Sequence, residues 1–340
     1  MTTANDKVAL VLGASGGIGG ETARALARAG WQVRGMKRGL KQDSAAPVRD
    51  ADGIAWVAGD ALDRDDVMRA AQGAAVIVHA VNPPGYRDWD RLVLPMLDNT
   101  MAAATATGAL VVLPGTLYNY GADAFPVIAE DAPQHPATRK GGLRVRMEAA
   151  LQGHAERGGR ALIVRAGDYF GPRVGNSWFA QGLVKPGRPV RRIANPAAPG
   201  VGHQWSYLPD VAATIAALVG RRAELPPFAR FHMAGHWDPD GTALCQAIRR
   251  VVAGRGGQAQ VAAFPWWLIR LLSPFNETLR ELFEMRYLWR APVRMDNRRL
   301  VGFLGAEPHT PLEVAVERTL EGLGCLPVAA GGRAVRALQR

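Results

Sequence analysis

The sequence predicts an α/β fold: a doubly wound parallel sheet with a smaller carboxyl-terminal lobe. Short apolar runs alternate with segments of helical spacing through the first half of the chain, and a glycine-rich turn directly follows the first run. After Gly171-Pro172 this alternation gives way to loops rich in Pro and Gly. Because a helix normally covers each crossover between parallel strands, the alternation favours a parallel sheet with helices on both faces.

The individual elements follow from the same patterns. Short β-branched and apolar runs predict strands at 7–12, 32–36, 54–58, 75–79, 110–113 and 161–165. Helical spacing predicts helices at 20–29, 63–71, 89–107 and 143–155. Asp63 is placed to cap the second of these helices. Beyond the loops we expect a helix at 210–219, a strand at 231–233, an aromatic-rich helical tail and a frayed terminus at 331–340.

A glycine-rich turn joins the first predicted strand to the first predicted helix, with the pattern G-x-x-G-x-x-G. In this context the turn lets backbone amides and the positive end of the helix dipole approach a pyrophosphate. The residues predicted to line a cofactor here are Gly13, Ser15, Gly16, Gly17, Ile18 and Gly19. We therefore predict a Rossmann-type dinucleotide-binding core at 1–172, with a return at about 203–235, and mostly a substrate lobe at 173–330.

The end of the second predicted strand bears on the choice of cofactor. NAD-selective sites place a carboxylate here on the adenosine ribose, whereas NADP sites offer Arg or Lys to the 2′-phosphate. This strand ends at Met36 and is followed by Lys37 and Arg38, with no acid beside them. Two adjacent cations can form charge-assisted hydrogen bonds with a phosphate. The sequence therefore favours NADP, and NAD is the alternative if both cations are ordinary solvated loop residues.

Further segments follow in a recognisable order. They are Gly59-Asp60, His79-Ala-Val-Asn82, Gly115-Thr-Leu-Tyr-Asn-Tyr-Gly121, Arg165 to Pro172 and Trp205 to Ala212. With the glycine turn, they resemble the extended and atypical short-chain dehydrogenase/reductases of the NAD-dependent epimerase/dehydratase family, as far as Leu320. The resemblance implies contacts to the cofactor from Asp60, Ala61, His79, Ala80, Val81 and Gly115. A purely structural role for His79 at its strand end is an equal alternative.

The family's catalytic pair, Tyr-x-x-x-Lys on a helix, is absent from this sequence. Aligned on Glu148, the tyrosine position holds Lys140 and the lysine position holds Arg144. Lys140, which by the resemblance also contacts the cofactor, could supply the proton if burial and the like charge of Arg144 disfavour its ammonium form. A solvated lysine on a helix surface is the alternative.

Three residues near Gly121 are the other candidates for catalysis. Thr116 stands where the family carries its catalytic Ser or Thr, and its hydroxyl could hydrogen-bond a substrate oxygen. Tyr118 and Tyr120 could replace the missing tyrosine. Packing beside the cofactor as purely structural residues is the alternative for both.

Composition excludes several classes of protein. Cys245 and Cys325 lie far apart and outside any Cys/His cluster, so neither a disulfide framework nor a metal site is expected. The formal charge is +11, but the arginines are scattered and no nucleic-acid motif accompanies them, so we expect no nucleic-acid partner. The apolar run 264–272 is far shorter than the roughly 20 residues of a membrane span. We expect a cytoplasmic protein with no membrane partner.

The second half of the chain concentrates aromatic residues, which would suit an apolar or aromatic substrate. The alternative is that Trp267, Leu271, Phe283 and Tyr287, at helical spacing, form core or an oligomer interface such as that of a homodimer. The leading functional hypothesis is an NADPH-dependent oxidoreductase that reduces a small carbonyl, alkene or imine substrate. A nucleotide-sugar epimerase or dehydratase and a non-catalytic NADP-sensing regulator are the alternatives.

Overall fold

The computed structural model describes residues 7–40, 49–83, 88–175 and 177–326. The terminus predicted at 331–340 lies outside these residues. The strands are β1 (Val8–Leu12), β2 (Gln32–Lys37), β3 (Ala55–Ala58), β4 (Val76–His79), β5 (Leu110–Gly115), β6 (Val127–Ile128), β7 (Arg160–Arg165), β8 (Asp168–Phe170), β9 (Arg192–Asn195), β10 (His203–Tyr207), β11 (Phe228–His232), β12 (His236–Asp238), β13 (Gln260–Ala263) and β14 (Arg294–Met295). The helices are α1 (Gly17–Arg28), α2 (Arg64–Ala70), α3 (Trp89–Thr107), α4 (Arg139–Glu156), α5 (Leu208–Gly220), α6 (Ala243–Gly254), α7 (Trp266–Leu272), α8 (Glu277–Glu284), α9 (Arg298–Leu304) and α10 (Leu312–Gly322).

The chain divides into two compact units. The first comprises Met1–Asp168, Leu208–Gly235 and Val293–His309, and the second comprises Tyr169–Tyr207, His236–Pro292 and Thr310–Arg340. The return to the first unit therefore begins at Leu208 rather than near 203. The segment Val293–His309 also belongs to the first unit, although the sequence places it in the smaller lobe. It joins the first unit because β14 pairs with β6 and because Glu307 accepts hydrogen bonds from the backbone of Ala234 and Gly235 at 2.8 and 2.7 Å.

The first unit is built on a seven-stranded parallel sheet in the order β11-β7-β5-β4-β1-β2-β3. The strand order reverses between β1 and β4, so the carboxyl ends of β1, β4 and β5 lie side by side at the topological switch point. Buried residues of the central strands, such as Leu10, Ile77 and Val111, form one apolar cluster with α2, α3 and α4, while α1 packs against α5. The prediction of a doubly wound parallel sheet is confirmed.

The helix starts near the sheet edge follow local chemistry. Asp63 caps α2 as predicted, accepting hydrogen bonds from the amides of Asp65 and Asp66 at 2.9 and 3.0 Å. The fourth helix begins at Arg139, four residues before the predicted start, because the Thr138 hydroxyl caps it by accepting from Gly141 N at 3.1 Å. This first turn consists of two cations and two glycines, so apolar periodicity does not predict it.

The second unit contains a three-stranded sheet, β12-β10-β8, and a parallel pair, β13-β9. Its core is aromatic: the rings of His203 and Trp289 stack 3.7 Å apart, and Trp178 lies 5.1 Å from Trp289 between centroids. Arg255 of α6 pairs with Glu317 and Glu321 of α10 and holds these helices together. Within the described residues, no helix is both long and apolar enough to cross a membrane.

A buried charge network ties four elements of the first unit together. Arg165, at the end of β7, is fully buried, and its guanidinium donates to both carboxylate oxygens of Glu148 in α4. The same guanidinium donates to Tyr120 Oη at 2.5 Å and to His232 Nε2 at 2.7 Å. Since His232 Nε2 accepts, its Nδ1 carries the hydrogen and donates to the carbonyl of Ile128 at 3.2 Å. The network therefore fixes α4, β7, β11 and the loop after β5 relative to one another.

Glu148→Gln tests how much this network contributes to the stability of the protein. The substitution keeps the shape of the side chain but leaves a buried guanidinium without its counter-charge, so we expect the free energy of unfolding to fall by about 3–5 kcal/mol in urea denaturation. Glu224→Gln, which breaks the exposed pair with Arg221, is the matched control and should change stability little. Equal, small losses in both variants would contradict this account.

Two of the buried histidines of the first unit, His79 and His232, predict an acid-sensitive fold. Burial, with repulsion from Arg165, lowers the pKa of His232 to about 3, and burial with repulsion from Arg144 does the same for His79. An unfolded histidine titrates near 6.5. As pH falls below about 6.5, the unfolded chain binds protons that the folded chain excludes, so stability should decrease steadily toward about pH 3. We expect the free energy of unfolding, measured by urea denaturation at each pH, to depend less on pH for His232→Asn than for the wild type. A wild-type free energy of unfolding that does not change with pH would contradict the prediction.

Candidate functional site

The glycine-rich turn forms a cradle at the carboxyl end of β1. Gly13 has a φ of +83°, and a Cβ placed there would lie 2.5 Å from the carbonyl oxygen of Ala80. A Cβ on Gly19 would lie 2.2 Å from the oxygen of Gly13. Only glycine fits at either position, because the turn, α1 and the end of β4 meet there without room for side chains.

The opening of this cradle suits a pyrophosphate. The first turn of α1 starts at Gly17, and the preceding Ser15 and Gly16 are exposed. Backbone amides at a helix amino terminus, together with the Ser15 hydroxyl, supply hydrogen-bond donors and partial positive charge to an anion. Gly17 and Ile18 are half-buried beside them. The residues predicted for the turn are thus brought together, and they fit a dinucleotide.

The ends of β2 and β3 carry the charges predicted for the adenosine end. Lys37 and Arg38 are both exposed, and Lys37 Nζ lies 6.0 Å from the ring centroid of Trp56. Arg38 Nη1 is 3.9 Å from Asp60 Oδ2, both at the surface. The neighbouring Ala61 is buried. Asp60 and the two cations therefore lie at one sheet edge, where a cation and a carboxylate both face an incoming ribose.

His79 ends β4 as a buried, neutral side chain. Its Nδ1 is 2.8 Å from Thr100 Oγ1, and that hydroxyl donates to the carbonyl of Met96 at 3.0 Å. Because the hydroxyl has one hydrogen, Nδ1 must be the donor and Nε2 is left as an acceptor. With a pKa of about 3, caused by burial and by Arg144, the ring is not a cationic acid at neutral pH. Ala80 and Val81 continue the chain past Gly13 and are half-buried.

The loop after β5 presents a threonine and a tyrosine. Thr116 Oγ1 accepts a hydrogen bond from Tyr118 N at 3.2 Å, which leaves the threonine hydrogen available to a substrate. The Tyr118 hydroxyl donates to Asp168 Oδ1 at 3.1 Å, and Asp168 is only 6% exposed. Asp168 thereby orients the phenol and turns its oxygen into an acceptor. Sequence reasoning missed Asp168, although it lies inside the Arg165 to Pro172 segment that carried the resemblance.

Lys140 and Arg144 lie on one face of α4 against an indole. Lys140 Nζ is 5.9 Å and Arg144 Cζ 5.5 Å from the centroid of Trp89, distances at which a cation interacts with the ring. Both side chains are buried, and Arg144 also donates to Asn82 Oδ1 at 3.4 Å. The predicted alternative of a solvated Lys140 is therefore wrong. Trp89 and Asn82 were not predicted as site residues, although Asn82 ends the His79-Ala-Val-Asn82 segment that carried part of the resemblance.

A glycine contact brings this helix to the loop after β5. A Cβ on Gly141 would lie 2.2 Å from the carbonyl oxygen of Tyr118, so the two backbones touch. This contact places the first turn of α4, with Lys140, directly beside the segment that holds Thr116. Thr116 and Tyr118 thus follow the carboxyl end of β5, and the turn of α4 that carries Lys140 contacts this loop through its backbone.

Two predicted residues do not belong to this group. Tyr120 is fully buried and accepts from Arg165, and burial raises the pKa of its hydroxyl to about 12, so the structure gives it a structural role. Gly115 is buried within β5, where a Cβ would lie 2.6 Å from the Arg165 side chain. It makes room for the charge network, and its contact with the cofactor stays a prediction.

Comparison with known proteins agrees with this geometry. Residues 13–138 match a family model described as NAD(P)H-binding. The UDP-glucose 4-epimerase of Brucella ovis, solved with NAD, is 16% identical, with 94% of this chain and 98% of that chain covered at a TM-score of 0.70. The chain has the fold of the NAD-dependent epimerase/dehydratase proteins. The predicted resemblance to extended short-chain dehydrogenase/reductases is confirmed, and residues 13–138 form an NAD(P)H-binding domain.

Other structures with this epimerase/dehydratase fold are also distant in sequence. A candidate epimerase of Burkholderia cenocepacia J2315 is 20% identical over 94% of this chain and 98% of that chain, with a TM-score of 0.69. The UDP-N-acetylglucosamine 4-epimerase of Bacillus cereus is 11% identical over 91% and 96%, with a TM-score of 0.65. No curated protein sequence matches the chain. At these identities the likeness establishes the fold, and the chemistry must be argued from the site.

The paired glycines of α4 allow a controlled test of the site's assembly. Gly141→Ala should push α4 from the Tyr118 carbonyl, destabilise the protein and displace Lys140, because the added carbon has no space. Gly142→Ala adds the same carbon where no atom lies within 4 Å, and it should be neutral or stabilising by about 0.5–1 kcal/mol. Thermal unfolding of both variants measures the difference. Similar behaviour of the two would argue against the close contact.

Proposed function

We propose that the protein is an NADPH-dependent oxidoreductase that reduces a small carbonyl, alkene or imine substrate. The observation that carries the proposal is that the glycine cradle after β1 and the loop after β5, with Thr116 and Tyr118, lie at the same edge of the sheet. The backbone of α4 beside Lys140 contacts that loop. A bound NADPH would supply the hydride. The chain's own residues would have to orient the substrate and deliver one proton, and this group contains the donors for both tasks.

The hydrogen-bonding state of each side chain assigns the roles. The Thr116 hydroxyl can donate to a carbonyl oxygen and so hold it in place. Lys140 is a donor only, whereas Tyr118 offers its oxygen, since its hydrogen points to Asp168. We therefore assign the proton to Lys140 and the recognition of a substrate donor to Tyr118. Arg144, buried on the same helix face, adds positive charge near the developing oxyanion.

Lys140→Met tests this assignment directly. The substitution keeps the apolar stem against Trp89 and removes the ammonium group, so kcat should fall by about 10²- to 10⁴-fold while NADPH affinity changes much less. Tyr118→Phe, which removes only the phenolic oxygen, should raise KM more than it lowers kcat. Both are measured with whichever carbonyl, enone or imine compound the wild type reduces. Unchanged kcat in the lysine variant would refute the role of Lys140.

The cations after β2 support NADPH over NADH. Arg38 is largely exposed and within 3.9 Å of Asp60, so a 2′-phosphate could replace that carboxylate as its partner. Arg38→Ala should weaken NADPH binding about tenfold and leave NADH binding nearly unchanged, as followed by cofactor fluorescence. Arg28→Ala, at the far end of α1, is the control and should change neither. Equal loss for both cofactors would indicate that Arg38 does not contact the phosphate.

A nucleotide-sugar epimerase is the second candidate, because the similar structures include UDP-sugar epimerases and one of them binds NAD. That chemistry needs a base to start the reaction, and the family's tyrosine is missing here. NAD retained through purification, together with interconversion of UDP-sugars, would favour the epimerase. Tight NADPH binding without turnover of any substrate would instead favour the regulator.

A further inference from the structure

One short segment of the second unit exposes its largest apolar side chains. Trp267 is 71%, Leu271 62% and Phe275 87% exposed, and Leu272 beside them is 41% exposed. No other large apolar residue in the described part of the chain exceeds 46%. We refer to Trp267, Leu271, Leu272 and Phe275 as the apolar stripe. Of the two predicted alternatives for Trp267 and Leu271, core or oligomer interface, this exposure excludes the core.

The stripe is a regular face held in place from behind. Trp267, Leu271 and Phe275 follow one another at intervals of four, along α7 and the short 3₁₀ turn Ser273–Phe275. On the opposite side Ile269 is buried, and the Trp266 indole donates to the carbonyl of Pro196 at 2.9 Å. Because α7 is anchored through this inner side, the outward direction of the stripe is fixed.

The charges around the stripe select the partner. Between Gln260 and Asn276 the sequence holds a single charged residue, Arg270, which is exposed. The next charged residues are Glu277 and the exposed Arg280. The chain as a whole carries a formal charge of +11. A partner that meets the stripe should therefore be apolar where Trp267 and Phe275 insert and negatively charged at its rim. An anionic lipid bilayer has this arrangement.

The size of the stripe suffices for insertion into a bilayer, whereas a second copy would also have to bury polar surface around it. A fully exposed large aromatic side chain offers on the order of 150–250 Å², so the four residues together present roughly 500 Å². A stable protein interface needs about 800 Å² from each partner. Insertion of a few aromatic and aliphatic side chains into the headgroup boundary needs much less, and Trp is enriched there.

We propose that the apolar stripe docks the protein peripherally on an anionic membrane surface. Trp267, Leu271 and Phe275 enter the boundary between headgroups and acyl chains, and Arg270 meets the phosphates. The protein lies on the bilayer and does not span it. The proposal departs from the expectation of no membrane partner, which rested on the length of the apolar run. It is independent of the reaction proposed above.

Co-sedimentation of the full chain with lipid vesicles tests the proposal. The protein should bind vesicles that contain phosphatidylglycerol more tightly than vesicles of phosphatidylcholine alone, and added salt should weaken the binding. The double variant Trp267→Ser/Phe275→Ser should bind at least about tenfold more weakly. Val301→Ser/Val314→Ser, which removes two other exposed apolar residues, is the control and should bind as the wild type does.

Every outcome decides the proposal. Absence of vesicle binding, or binding that the Trp267/Phe275 variant retains, would overturn it. Light scattering on the lipid-free protein tests whether a second copy of the chain covers the stripe instead. A dimer that dissociates in the Trp267/Phe275 variant would identify the stripe as a self-association surface. That result would also overturn membrane docking. Circular dichroism of each variant ensures that a loss of binding is not a loss of folding.

Discussion

The ion pair between Arg165 and Glu148 is the constraint on which the first unit depends. A buried guanidinium is costly unless its donors are satisfied, and Glu148, Tyr120 and His232 together satisfy it. These partners come from three places: from α4, from the loop after β5, and from β11. Fixing α4 on β7 in this way also fixes its first turn, which carries Lys140 beside Tyr118. The position of the candidate proton donor thus follows from a charge pair that takes no part in the chemistry.

Hydrogen-bond donors and acceptors also determine what the candidate site can bind. The glycine cradle offers backbone amides to an anion, because Gly13 and Gly19 leave no room for side chains where the turn meets β4. His79 stays neutral beside it because burial and the charge of Arg144 lower its pKa. Where the family carries tyrosine and lysine, this chain carries a lysine and an arginine stacked on one indole. The fold remains that of the epimerase/dehydratase proteins, and in the proposed reaction Lys140 takes the place of the tyrosine as proton donor.

Features encoded within a few residues could be predicted from the sequence. The strand–turn–helix context of Gly13 to Gly19 and the identities at positions 140 and 144 needed only short-range patterns. Long-range contacts could not be predicted. Tyr118 and Asp168 are 50 residues apart, and Tyr120 is drawn into the core by an arginine 45 residues away. The exposure of Trp267 was hidden for a related reason, since helical spacing shows that residues share a face but not whether that face is covered.

The central claim, reduction at the expense of NADPH, is most directly tested by titrating the purified protein with NADPH and NADH while following cofactor fluorescence. A panel of carbonyl, enone, imine and UDP-sugar compounds is then added to the loaded protein. The account predicts tighter binding of NADPH and its oxidation by at least one carbonyl, enone or imine compound. Failure of both cofactors to bind would contradict the dinucleotide site itself. Binding of NAD with interconversion of UDP-sugars and no net oxidation of NADPH would contradict the proposed reaction.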